Sequence, residues 1–175
     1  NVPVEGLCMN FGSKFLSGHR AGHNAYLVRR LREAGFIPVG VGVWLDYLHW
    51  HAQFETPEPI LPETCFCDRC LRIFENETST NVPDGELQEK AQWILSNADS
   101  LWRVWRSDVL NRWVGNMKSV VQASRPRALL GIYYCPWYPD DFGGALYRTL
   151  GLDMRALSRI ADVLSPMLYH QMMDR

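Results

Sequence analysis

Apolar positions along the chain follow two periods that alternate. Residues 2–11 (VPVEGLCMNF) and 39–47 (VGVGVWLDY) are nearly continuous apolar runs of strand length, the second as expected of a parallel strand covered on both faces. Residues 128–134 (ALLGIYY) and 162–169 (DVLSPMLY) repeat the pattern. Between them the apolar residues step by three or four, as one face of a helix requires. Asn24 caps a helix over 25–34 that aligns Leu27, Val28, Leu31 and Ala34, and Gly35 suits its C-terminal exit. Residues 49–65 carry Pro57, Pro59 and Pro62 and read as a stiff, non-helical loop. A short helix over 67–75 turns Cys70, Leu71 and Phe74 inward, and the polar stretch 76–85, with Pro83 and Gly85, is a surface loop. A helix follows over 86–95. Asp99 or Ser100 caps a longer one to about residue 122, striped by Trp102, Trp105, Val109, Trp113, Met117 and Val120. That tryptophan stripe reads as core. Asp153 caps a last helix over 154–160.

Four strands separated by helices imply parallel crossovers. No Gly-rich phosphate loop follows the first strand, because Gly12 and Gly18 are too far apart, which argues against a dinucleotide-binding domain. The pattern predicts an α/β chain that forms the central part of a (β/α)₈ TIM barrel, about strands three to six. On that reading residues 1–175 are a single domain and a piece of a longer protein, since the full barrel needs about 250 residues.

Composition narrows the partners. The net charge is -1 and the basic residues are scattered, so nucleic acid is a poor fit. No apolar run approaches the ~20 residues of a membrane span. Most of the seven Trp, seven Tyr and seven Phe are expected in the core, and those at strand ends are natural platforms for sugars. Five cysteines, an odd number, argue against a disulfide framework and lean towards the cytoplasm.

In a barrel the chemistry sits after the strands. Asp46 ends an apolar strand, where a carboxylate is costly unless paired or used. Hydrolysis of a glycosidic bond typically needs two carboxyl groups. Glu55 and Asp140 are the candidate partners of Asp46. His49 and His170 are candidates to orient hydroxyls, and Trp50, Tyr134, Trp137 and Tyr169 to stack on a sugar. Tyr133 and Tyr134 point to opposite faces of their strand. Separately, Cys65, Cys67 and Cys70 form a C-x-C-x-x-C run, close enough for one metal ion. Zinc favours four tetrahedral ligands, and Cys8 on the preceding strand is a candidate fourth.

The segment Val43-Trp44-Leu45-Asp46-Tyr47-Leu48-His49-Trp50, with Glu55 and then Cys65-Phe66-Cys67-Asp68-Arg69-Cys70-Leu71-Arg72-Ile73-Phe74, resembles a group of mostly bacterial (β/α)₈-barrel proteins akin to glycoside hydrolases. Ser165-Pro166-Met167-Leu168-Tyr169-His170 is similar to their sixth strand. The cysteine run also resembles the zinc-bearing loop of microbial β-galactosidases. That likeness implies a structural zinc on Cys65, Cys67, Cys70 and Cys8, a carbohydrate substrate and no organic cofactor. It does not extend to the catalytic pair, because those enzymes carry Asn-Glu where this chain has Asp46-Tyr47. Two rival readings keep the same residues: a carbohydrate-binding barrel without catalysis, and a metal-dependent hydrolase of another class. A thiolate-rich site suits structural zinc better than an open catalytic metal.

Overall fold

The computed structural model describes residues 42–53 and 58–168. All of them belong to one unit, Val41–Arg175. Three strands, β1 (Gly42–Leu45), β2 (Leu129–Tyr134) and β3 (Val163–Pro166), form one parallel sheet in sequence order. Five α-helices accompany it: α1 (Asp68–Thr78), α2 (Leu87–Asn97), α3 (Asp99–Ser124), α4 (Ala145–Arg148) and α5 (Met154–Ile160). The first three lie between β1 and β2, and the last two between β2 and β3. Parallel neighbours need such crossovers, because a tight turn cannot join them.

This corrects the expectation of a (β/α)₈ barrel. Closure gives every strand two neighbours, whereas β1 and β3 each pair only with β2 among the described residues. Among the described residues, three short strands form one parallel sheet accompanied by five α-helices, a small α/β arrangement. The expected first strand, residues 2–11, and the helix over 25–34 lie outside the described residues. A second correction follows from exposure. β1 is not buried on both faces: Val43 is 42% exposed and Trp44 37%.

The two faces of the sheet differ. Leu130 and Ile132 point to one face and are fully buried, with Val114 of α3, Leu157 of α5, Leu150 and Leu152. The other face carries Trp44, Leu129, Tyr133 and Ser165. There the Trp44 indole lies across Gly131 and donates from Nε1 to Ser165 Oγ at 3.0 Å. A Cβ at Gly131 would stand 2.4 Å from that ring, so only glycine admits it. The start of β3 is clamped by Asp162. Its backbone N–H donates to Leu130 O, its carboxylate accepts from Leu130 N–H at 2.9 Å, and it pairs with Lys118 at 2.6 Å.

A second core joins α1, α2 and the first half of α3: Phe66, Leu71, Phe74, Val82, Ile94, Trp102 and Trp105. Trp102 is stacked on Phe66 with centroids 5.0 Å apart and meets Phe74 edge-on at 4.9 Å. Thus α3, 26 residues and about 39 Å long, serves both cores, Trp102 and Trp105 in one and Val114 in the other. The stripe expected on this helix is only partly core. Trp113 is 44% exposed and Val120 58%. Caps explain two helix starts. Asp153 accepts from Ala156 N–H at 3.0 Å, and Glu86 forms a reciprocal capping box with Glu89. Among the described residues no helix is long and apolar enough to cross a membrane.

Candidate functional site

The C-terminal ends of parallel strands lie at one edge of their sheet, so Asp46, after β1, and Tyr134 to Asp140, from β2 into its following loop, share that edge. Asp46 is exposed, and its Oδ1 accepts the Tyr47 N–H at 2.9 Å. Tyr47 has φ +52°, a left-handed value unfavourable for a tyrosine, and is 66% exposed. Two neighbours anchor the turn: Leu48 is buried in the first core, and Trp50 N–H donates to Leu150 O at 3.0 Å. His49 places Nδ1 2.7 Å from Trp50 O. A carbonyl only accepts, so Nδ1 carries the proton in this contact.

A cavity of about 380 Å³ opens beside Asp46, walled by Tyr47, His49, Trp50, Leu110 and Trp113. Of the residues expected at the site, it gathers Asp46, His49 and Trp50. Trp50 is turned inward. Its indole N–H donates to Arg106 O at 3.1 Å, the Arg106 guanidinium lies 5.0 Å from its centroid, and its edge fills the space over Gly151, which holds φ +74°. Trp113 of α3, read from the sequence as core, presents the open aromatic ring instead. Its helical spacing gave no sign of this; only the shape of the following cleft does.

Tyr134 is half-buried and packs on the first core, as does Trp137, whose ring meets Phe142 at 4.6 Å. Asp140 is exposed at the start of a one-turn 3₁₀ helix, Asp141–Gly143. None of the three lines the Asp46 cavity. Glu55, Tyr169, His170 and Cys8 lie outside the described residues.

The cysteine run is brought together. The Sγ atoms of Cys65, Cys67 and Cys70 all lie within 4.8 Å of one another. A tetrahedral zinc with bonds of ~2.3 Å needs sulfurs about 3.8 Å apart, so small side-chain rotations complete the fit. Local structure explains the convergence. Cys67 is the N-cap of α1, Cys70 lies in its first turn, and Phe66 pins the approach by stacking on Trp102. The Cys70 backbone N–H, then hydrogen bonds with the Cys65 and Cys70 thiols, hold Cys67 down to about 7. Burial, then the neighbouring thiols, push Cys70 up to about 12. One thiolate is therefore accessible near neutral pH, and metal binding would displace the remaining protons. Cys135 is of another kind. It is buried in the first core, and burial pushes it up to about 12.

Sequence reasoning missed the charged latch beside this loop. Arg103 is 4% exposed and Arg106 fully buried. Arg103 pairs with Glu63 through two nitrogens, NH1 and NH2, the latter at 2.9 Å, and with Asp99 at 2.8 Å. Arg106 donates to Arg148 O at 2.9 Å and Thr149 O at 2.8 Å. Burial and the charge of Arg103 bring Arg106 down to about 10. Arg103 itself is raised: burial pulls it down, but hydrogen bonds and charge from Glu63 and Asp99 outweigh that. The latch fixes Glu63, two residues before Cys65, to α3 and to the end of α4. The only cue in the sequence was an Arg pair interrupting a tryptophan stripe.

The chain matches no protein-family profile, no curated protein and no solved structure.

Proposed function

We propose that the chain acts on carbohydrate as a glycoside hydrolase, with Asp46 as a working carboxylate and a structural zinc on Cys65, Cys67 and Cys70. The observation that carries the reading is the Asp46 cavity, an exposed carboxylate at a parallel strand end beside two aromatic rings, Tyr47 and Trp113. Asp46 Oδ1 is oriented by the Tyr47 N–H, and Oδ2 accepts no hydrogen bond among the described residues. A carboxylate held this way can attack an anomeric carbon or activate a water molecule. Which it does depends on the second carboxyl group: ~5–5.5 Å leads to retention and ~6.5–9.5 Å to inversion. Asp140, after the neighbouring strand, and Glu55 are the candidate partners. Aromatic faces suit the apolar faces of sugar rings, and His49 suits a hydroxyl.

The zinc supplies folding energy to the loop that follows Asp46 and takes no part in the reaction. Closed, thiolate-rich sites serve that role. The test is release of nitrophenol from a panel of aryl glycosides by the purified protein. Turnover on at least one member is expected. Failure across α- and β-linked gluco-, galacto-, manno- and xylosides would contradict hydrolysis.

A further inference from the structure

Three cysteines leave a tetrahedral zinc one ligand short, and the structure assigns the fourth position to His51. The inference rests on the zinc reading above and specifies the chain's own side of that site.

The loop after β1 folds back on itself. Gln53 and Ile60 exchange both backbone hydrogen bonds, at 2.9 and 2.8 Å, as an antiparallel bridge. The bridge carries residue 51 back towards residue 64, and Thr64 Oγ1 donates to His51 O at 3.4 Å. Cys65 follows directly. His51 consequently lines the same cleft, about 890 Å³, as Cys65 and Cys67.

Among the described residues, which do not include Cys8, that cleft offers few other ligands. Glu63 has both oxygens held by Arg103. Glu86 accepts from the first turn of α2 in its capping box. Thr64 presents a neutral hydroxyl already bonded. The His51 ring makes no hydrogen bond among the described residues, and the residue is exposed, so its imidazole can rotate about two bonds. It is not within 4.8 Å of all three sulfurs, so ligation requires that rotation. Imidazole is a good zinc ligand, and a three-sulfur, one-nitrogen set is a common closed site.

The test uses the purified chain loaded with zinc and read by X-ray absorption at the zinc edge. A shell of three sulfurs and one nitrogen is expected. His51→Ala should weaken zinc binding at least about 100-fold, since loss of mere outer-shell support costs ~10–100-fold. His51→Cys should restore tight binding and change the shell to four sulfurs. Circular dichroism of the metal-free variants checks that they fold as the parent does. A four-sulfur shell in the parent, or parent-like zinc affinity in His51→Ala, would overturn the assignment while leaving the zinc site standing. Absence of bound zinc in the parent would overturn both.

Discussion

Glu63→Ala and Arg103→Met cut one ion pair from opposite ends, and the structure makes their costs unequal. Removing Glu63 leaves the Arg103 guanidinium, whose side chain is 5% exposed, with Asp99 and Arg148 O as its remaining partners. It also removes a negative charge that supports Arg106. Breaking a buried pair this way costs ~3–5 kcal/mol when nothing compensates; Asp99 compensates in part, giving about 2–3 kcal/mol. Removing Arg103 leaves two carboxylates that are each 34% exposed and can reach water. Arg148 O keeps its bond from Arg106, and the repulsion between the two arginines disappears. The cost should be about 1 kcal/mol. For a domain of this size, thermal midpoints should fall by about 5–10 °C for Glu63→Ala and about 2–4 °C for Arg103→Met. Paired scans by circular dichroism read the difference. A larger loss in Arg103→Met would refute the argument that the stranded buried charge sets the cost.

Two further outcomes can be checked. The Leu130 N–H, then Lys118, hold the Asp162 carboxyl below its ordinary value of 3.8. Its contribution is thus complete above that value and fades as pH falls from there through the lowered folded value. Asp162→Asn should flatten that part of the stability–pH curve, and an unchanged acid limb would count against the clamp on β3. Trp113→Ala should raise KM about tenfold with kcat nearly unchanged, as loss of uniform binding does, and leave the thermal midpoint within a few degrees. An unchanged KM would remove Trp113 from the sugar platform.

Most of the elements were legible in the sequence, because their cues are local. Asp153 caps α5 as its position before Met154 suggests, and Pro126 stands between α3 and β2. The cysteine spacing sufficed to place three sulfurs together. What failed was non-local. The alternation of strands and helices was extended to barrel closure, but alternation fixes parallel order and cannot supply the strands that closure needs. The run Val39 to Tyr47 looked doubly covered because glycine and valine score as apolar; Trp44 folding across Gly131 leaves its own strand half-open. The Arg103–Glu63 pair spans 40 residues and leaves no periodic trace. Trp50 and Trp113 exchanged roles for a similar reason. Helical spacing alone could not tell that the loop residue would pack inward and leave the helix residue open.

Asp46 is proposed to perform chemistry as well as to close its turn. The most direct measurement compares Asp46→Asn with the parent on one hydrolysed aryl glycoside, recording turnover and thermal midpoint together. The substitution keeps the size of the side chain and an oxygen to accept the Tyr47 N–H. A midpoint within a few degrees of the parent is expected, with turnover lowered by about three orders of magnitude or more, the signature of lost transition-state stabilisation. Turnover near that of the parent would contradict catalysis by Asp46.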